Sequence, residues 1–105
     1  MATIGTADIT LTATNQPILT APATIMLSKV VVCNTDASPR TVTVHKVPAA
    51  GTAGAGNIVV DALSLTAGQT ATLPLSGLVL RMADSLQGQA SVTSVVNISV
   101  GFVTP

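Results

Sequence analysis

The chain has 105 residues, a length typical of one domain, and its four basic and four acidic residues give a formal net charge of zero. So few and so balanced charges exclude a basic surface for nucleic acid, and a single aromatic residue excludes a platform for stacked bases. No apolar run approaches the roughly 20 residues that a membrane-spanning helix needs. Neither nucleic acid nor a membrane is therefore an expected partner.

The low charge also bears on assembly. Only 8% of the residues are charged, against about 25% in a typical soluble domain, and abundant Thr and Ser make the polar surface mostly hydroxyl. Charge keeps small domains apart in solution. We therefore expect this domain to bury part of its surface against other subunits.

Two features fit folding in the cytoplasm. Cys33 is the only cysteine, so no internal disulfide is possible. The first ten residues, MATIGTADIT, lack a basic region followed by a hydrophobic stretch, so no signal peptide is predicted.

The first part of the chain predicts an arm and then a strand. Residues 1–7 are expected to form an N-terminal arm, and alternation of Ile and Leu with threonines predicts a strand over 8–13. Pro17 and Pro22 flank a short apolar stretch, which confines residues 18–19 to an edge strand or a loop.

Residues 24–47 have the pattern of one hairpin, in which two runs rich in β-branched residues flank the polar turn segment 34–40. In the second run Val42 and Val44 alternate with polar residues, the pattern of a strand with one buried face. In the first run the valines 30–32 are consecutive, so this strand is expected to be covered on both faces.

Segment 48–57 is rich in small residues and contains Gly51, Gly54 and Gly56. A phosphate-binding P-loop would end in Lys-Ser or Lys-Thr and lead into a helix, whereas a strand pattern follows Asn57 here. The segment is therefore predicted to be a flexible connecting loop.

The second half of the chain continues as short segments bounded by turn residues. They are strands over 58–65, 70–75 and 95–103, a turn over 66–69, a strand or one helical turn over 78–82, and a segment of small and polar residues over 85–91. Gly68 is available for a positive φ in its turn, and Gly88 indicates a bulge or a close backbone approach.

About seven or eight short strands, with turn signals every 8–12 residues or so and no amphipathic helical period, predict an all-β fold. We expect an antiparallel β-sandwich forming a single domain over residues 1–105. Jelly-roll and immunoglobulin-like topologies both fit, with a slight preference for the jelly roll because eight strands suit the segmentation better than seven.

Residues able to carry catalysis are scarce. The chain has one histidine, His45, one cysteine, and no Glu or Tyr. It contains no G-x-S-x-G pattern and no metal-ligand spacing. Cys33 follows three valines, where a thiol behaves as a small hydrophobic group. We predict no enzyme, with no catalytic, cofactor-binding or metal-binding residue.

Three stretches carry a family resemblance: KVVVCNTDASPRTVTVHKVP, GTAGAGNIVVDALSLTAGQTATLPL and ADSLQGQASVTSVVNISVGFV. They resemble small structural proteins of tailed bacteriophage virions, in which a strand ending in CNTD, a hydroxyl-rich hairpin, a glycine-rich loop and a closing DSL…NISV strand recur in this order. The resemblance implies a virion component without enzymatic activity, with a capsid cement or decoration protein as the leading hypothesis.

The resemblance also implies partners and a location. The expected partners are further copies of the chain, with a trimer preferred over a dimer, and the major capsid protein or other virion proteins. The expected location is the capsid surface of the virion, after folding in the cytoplasm of the bacterial host. The alternatives are a neck, tail or fibre accessory protein, or a surface- or carbohydrate-binding module, although the absence of Tyr and Trp counts against sugar binding.

The candidate subunit contacts are the weakly polar face of the second strand in the hairpin pattern and the glycine-rich loop that follows it. These residues are Thr41, Thr43, His45, Gly51, Gly54 and Gly56.

Overall fold

A computed structural model describes residues 3–105, which form two facing β-sheets. The elements are β1 (Thr3–Thr10), β2 (Gln16–Thr20), β3 (Ile25–Asn34), β4 (Arg40–Val47), a short 3-10 helix (Ala55–Asn57), β5 (Ile58–Leu65), β6 (Thr70–Leu73), β7 (Val79–Leu80), β8 (Ser85–Ala90) and β9 (Val96–Thr104). Within residues 3–105 no helix is long and apolar enough to cross a membrane.

The strands pair antiparallel in a nested series. β4 pairs with β5, β3 with β6, β2 with β8 and β1 with β9. The series is rolled up so that one sheet has the order β1-β9-β3-β6, with β7 also paired to β3, and the other has the order β2-β8-β4-β5. This arrangement is a jelly roll. The predicted antiparallel β-sandwich is confirmed, and the strand order selects the jelly roll over the immunoglobulin-like topology.

The core lies between the sheets and consists of aliphatic side chains at alternate strand positions. A bulge between Leu27 and Lys29 shifts the register of β3 against β9. The buried residues of β3 therefore have odd numbers up to Leu27 and even numbers from Val30 onward. Each fully buried aliphatic side chain stabilises the fold by about 1.5–3 kcal/mol. Fully buried examples are Leu11, Ile25, Leu27, Val30, Val32, Val42, Val44, Leu65, Leu80 and Leu86.

The hairpin predicted over 24–47 is wrong, because β3 and β4 lie in different sheets and the chain crosses between them. Asn34, which is fully buried, holds this crossing. Its Nδ2 donates to the carbonyls of Ser38 at 3.0 Å and Thr66 at 3.1 Å, and its Oδ1 accepts from the N–H of Asp36 at 3.0 Å. The local turn chemistry was predicted correctly, but contacts distant in the chain decide where the strands go.

The N-terminal strand begins earlier than the sequence pattern indicates. Residues 3–7, predicted as part of an arm, lie in β1 and pair with β9, while residues 1–2 lie outside the described residues. The ring of Phe102 covers Gly5, and a Cβ at that glycine would overlap the ring. An aromatic ring over a glycine in an edge strand is a known way to hold such a strand in place.

Several other predictions agree with the structure. β5 has the predicted bounds, and Gly68 has a φ of 72° in its turn. Gly88 is a point of close approach, since a Cβ there would lie 2.9 Å from Ile18 Cδ1 and 3.2 Å from the carbonyl oxygen of Thr43. The segment at 78–82 contains the two-residue strand β7, and the segment at 85–91 is a full strand, β8.

Candidate functional site

The outer face of the five-stranded sheet is the most distinctive surface of the molecule. Its strands β1, β3, β6, β7 and β9 carry only two charged side chains, Asp8 and Lys29. The outward positions of β1 and β9 are otherwise mostly small polar side chains, which alternate with residues that pack on the core. A large part of this face is therefore electrically neutral.

A row of four apolar side chains crosses one end of this outer face. Ile4 of β1 is opposite Val103 of β9, Val103 is opposite Met26 of β3, and Met26 is opposite Val79 of β7. Ile4 is 79% exposed, Met26 43% and Val79 45%, while Val103 is partly buried. We call these four residues the apolar row.

The apolar row has no counterpart to cover it within the described chain. Neighbouring strands are about 4.8 Å apart, so the four side chains form a continuous strip roughly 14 Å long. Single exposed apolar residues are ordinary on a protein surface, whereas these four are contiguous and lie on a face of low charge. Met82, in the turn after β7, is a further exposed apolar side chain, at 65%.

A shallow groove of about 470 Å³ occupies the other end of the same face. Its polar lining is internally hydrogen bonded: Thr10 Oγ1 donates to Asn97 Oδ1 at 2.8 Å, and Ser99 Oγ donates to a carboxylate oxygen of Asp8. Its apolar lining includes Val31 and the thiol of half-buried Cys33.

The groove bears on the prediction for the three consecutive valines. Val30 and Val32 are fully buried in the core, whereas Val31 is half-buried on the outer face. Residues 3–105 cover only one face of this strand completely. Cover on the second face stays a prediction.

The predicted contact residues lie on the other sheet. His45 is only 7% exposed, because the glycine-rich loop folds over it. Its Nδ1 lies 3.2 Å from the carbonyl oxygen of Gly54 and 3.0 Å from Asn57 Oδ1. Since Asn57 Nδ2 donates to the carbonyl of Thr52 at 2.9 Å, its Oδ1 faces the histidine, so Nδ1 carries the proton. His45 therefore contacts the glycine-rich loop, and its role in subunit contact stays a prediction.

The two predicted threonines also lie on β4. Thr43 Oγ1 accepts from the N–H of Ala62 at 3.1 Å, in the part of β5 where the register with β4 shifts. A charged residue at position 43 would break this hydrogen bond as well as add a charge to the surface. Weaker assembly of such a variant would therefore not identify position 43 as a subunit contact. The N–H of Thr41 donates to Ser91 Oγ at 3.0 Å.

The predicted glycines are exposed in the loop at one end of the same sheet. The N–H of Gly51 donates to the carbonyl of Pro48 at 2.8 Å, closing a turn. A Cβ at Gly54 or Gly56 would meet no atom within 4 Å. The loop position is as predicted, and both its flexibility and its role in subunit contact stay predictions.

Sequence reasoning missed the apolar row, although part of its signal was present. Ile25, Met26 and Leu27 are consecutive apolar residues, a pattern that places an apolar side chain on both faces of a strand. Ile4 and Val79 could not have been joined to Met26, because only the pairing register shows that they share one row.

The described residues offer little for catalysis or metal binding. Within residues 3–105 no three His, Cys, Asp or Glu side chains are grouped to hold a metal ion. One ion pair joins Arg40 Nη2 to Asp36 Oδ2 at 2.6 Å, at the crossing between the sheets. The hydrogen bonds from the Arg40 side chain and from the N–H of Ala37 hold the pKa of Asp36 below its ordinary value. This pair fastens the turn.

No protein-family model and no curated protein matches the chain. Three solved structures are similar in fold. A chain from Bacillus endospore appendages, described as disulfide-linked pili, has a TM-score of 0.59 and 16% identity, over 98% of this chain and 84% of that one. A chain of the cyanophage Pam1 capsid asymmetric unit has a TM-score of 0.51 and 13% identity, over 99% of this chain and 85% of that one.

The third structure is that of infectious bursal disease virus strain Gx, with a TM-score of 0.54 and 14% identity. The similarity covers 98% of this chain but only 32% of the viral one, so this chain corresponds to about a third of that protein. At these identities the likeness concerns the fold alone. The chain is a jelly-roll β-sandwich of a kind also found in capsid and pilus subunits.

Proposed function

We propose that this chain is a non-enzymatic structural protein of a bacteriophage virion, and that it acts as a cement or decoration protein on the capsid surface. The observation that carries the proposal is the apolar row, which lies across a sheet face of very low charge. The likeness in fold to a chain of a phage capsid supports it. So does the resemblance of the CNTD and NISV segments to small virion proteins.

The occupant proposed for the apolar row is the shell of major capsid proteins. The apolar row contains no charged side chain, so a matching apolar strip on the shell binds it without the cost of burying an ion. Full burial of one Ile, Val or Met side chain is worth about 1.5–3 kcal/mol. The row therefore supplies a modest contact per subunit, which a closed shell repeats at every equivalent position.

A charged substitution in the apolar row tests this proposal. Met26→Glu places a carboxylate at the centre of the row, whereas Ser64→Glu adds the same charge at an exposed position of β5 in the other sheet. Both positions are exposed, so both variants are expected to fold.

Capsids produced without this chain are mixed with each purified variant, sedimented and analysed by mass spectrometry. We expect the wild type and Ser64→Glu to co-sediment and Met26→Glu to remain in the supernatant. Equal recovery of all three proteins in the capsid pellet would show that the capsid contact lies outside the apolar row. Absence of the wild-type chain from both capsids and native virions would refute the virion assignment.

A neck, tail or fibre accessory protein is the second candidate. The likeness in fold to a chain of endospore pili favours it, because the same sandwich then builds a filament instead of a layer. Fractionation of virions into heads and tails before mass spectrometry separates the two candidates, since a fibre component leaves with the tails.

The groove supports a third candidate, a surface- or carbohydrate-binding module. It presents the carboxylate of Asp8 and the side chains of Thr10, Asn97 and Ser99, groups that hydrogen bond sugar hydroxyls. Calorimetric titration with host polysaccharide tests this, and a binding signal that disappears in Asp8→Asn would favour it over the capsid contact.

A further inference from the structure

The two sheets have four edges, and three of them are protected against pairing with another strand. β2 contains Pro17 and a register shift, which interrupt the ladder. β5 has two register shifts against β4 and a positive φ of 46° at Ala62. β6 has four residues and is followed by Pro74, while β7 has two. Prolines, bulges and short strands are the usual devices that keep edges from pairing.

β1 has none of these devices. It is an eight-residue strand that follows β9 without a register shift from Thr3↔Thr104 to Thr10↔Asn97. It contains no proline and a single charged residue, Asp8. A straight, weakly charged edge about 26 Å long is a ready template for another strand.

The alternation of hydrogen bonds in an antiparallel ladder determines which backbone groups of β1 point away from β9. The N–H of Leu11 donates to the carbonyl of Val96 at 2.8 Å, so residues of odd number bond towards β9. The N–H and C=O groups of even-numbered residues point to the open edge. The carbonyl of Thr10 confirms this direction, because it accepts from Gln16 Nε2 at 3.1 Å, outside the ladder with β9.

Among residues 3–105 no strand pairs with this edge, whose outward groups are the N–H and C=O of Ile4, Thr6 and Asp8. We propose that this edge pairs antiparallel with β1 of a second copy of the chain, about a two-fold axis at Thr6. In this register Ile4 of one copy lies opposite Asp8 of the other, and the three residues exchange about six hydrogen bonds.

A second copy fits this edge for three reasons. The register uses every free backbone group of the segment, and it keeps the two Asp8 carboxylates from lying opposite each other. The strand carries no further charge that would repel its own copy. The proposed assembly is a two-fold dimer, whereas the family resemblance implies a trimer.

The pairing deepens the proposed function, on which this part of the inference rests. Ile4 and Asp8 both lie on the outer face, so antiparallel pairing keeps the outer faces of both copies on the same side. The dimer presents two apolar rows to one surface and binds it through both. Linked contacts of this kind raise the apparent affinity on the order of 100-fold over a single contact.

Substitutions at Thr6 test the pairing. Thr6→Pro removes the N–H that points to the open edge and leaves the ladder with β9 intact, a position at which edge strands tolerate proline. Thr6→Lys places two like charges at the two-fold axis, and it serves as a second variant if the proline disturbs folding. Thr6→Val keeps the N–H and is the matched control.

Light scattering at low and high protein concentration measures the molar mass, and NMR hydrogen exchange measures the protection of single amides. For the wild type and Thr6→Val we expect a mass that rises from one chain to two, with amides 4, 6 and 8 slowing at high concentration. Thr6→Pro and Thr6→Lys are expected to stay at one chain. Unchanged exchange of these amides in the wild type, a trimer, or dimers in both variants would overturn the pairing.

Capsid binding separates this inference from the proposed function. If the wild type binds capsids but amides 4, 6 and 8 never become protected, the edge pairing fails and the capsid role stands. If the dimer forms by these amides but the chain is absent from particles, the pairing stands and the capsid role fails. If both hold, Thr6→Pro, which adds no charge to the outer face, should bind capsids on the order of 100-fold more weakly than Thr6→Val.

Discussion

Replacing Asn34 with alanine removes the side chain that holds the crossing between the two sheets. Asn34 is fully buried and its amide reaches three carbonyl oxygens, while its Oδ1 accepts one N–H. The carbonyl of Leu65, at 3.3 Å, lies in the buried part of this network. In Asn34→Ala the N–H of Asp36 loses its acceptor and the three carbonyls lose the amide donor, while the carbonyl of Thr66 still accepts from the N–H of Gln69.

The expected loss follows from counting these contacts. A hydrogen bond contributes about 1 kcal/mol net, and a buried group left without a partner costs about 1–3 kcal/mol. The amide NH2 has two hydrogens and Oδ1 accepts one bond, so the variant loses about three hydrogen bonds. This corresponds to a fall of about 3 kcal/mol in the free energy of unfolding, a substantial part of the roughly 5–15 kcal/mol of a typical domain.

Urea unfolding followed by far-ultraviolet circular dichroism measures this change, since the chain has no Trp or Tyr for fluorescence. Asn97→Ala is the control, because Asn97 is exposed and its side chain accepts one hydrogen bond, from Thr10. We expect the control to lose less than about 1 kcal/mol. Equal losses in both variants would refute the view that Asn34 holds the crossing.

Three further predictions concern other parts of the molecule. Gly5→Val forces its side chain into the ring of Phe102, and we expect a loss of about 1–3 kcal/mol in urea unfolding. Arg40→Gln removes the main cause of the low pKa of Asp36, so NMR titration should show that pKa rising towards its ordinary value. In the wild type the lowered pKa contributes stability above the unfolded-state pKa, and that contribution disappears as pH falls through the folded-state pKa. Thr43→Val removes the acceptor for the N–H of Ala62 in the irregular part of β5. We expect the free energy of unfolding to fall by about 1 kcal/mol and the amide of Ala62 to exchange faster.

Matched variants control the experiments on Gly5 and Thr43. Gly54→Ala adds a methyl group where no atom lies within 4 Å, so it should leave stability unchanged. Thr43→Ser keeps the hydroxyl and should retain the slow amide. A pKa of Asp36 that does not move in Arg40→Gln would contradict the role given to the ion pair. Equal stability of Gly5→Val and the wild type would contradict the role of the Phe102 ring.

Much of the local structure could be predicted from the sequence. The bounds of β5, the alternation in β9 and the positive φ of Gly68 follow from side-chain pattern and turn chemistry within a few residues. The slight preference for a jelly roll also rested on local evidence, the number of segments. These features depend on neighbours in the chain, which a sequence displays directly.

The crossing between β3 and β4 could not be predicted, because the same turn residues suit a hairpin and a crossing equally well. The choice depends on Asn34 meeting carbonyls of residues 65 and 66, about thirty positions away. His45 was expected on an outward face, and it is buried because a loop that follows it in the chain covers that face. The apolar row depends in the same way on register between strands distant in the sequence.

A cryo-EM reconstruction of capsids mixed with this chain would show directly what the apolar row contacts. We expect density for the jelly roll on the outside of the capsid, with Ile4, Met26 and Val79 against the shell and β1 beside β1 of a second copy. Particles without this density, or with the face that carries the apolar row open to solvent, would contradict it.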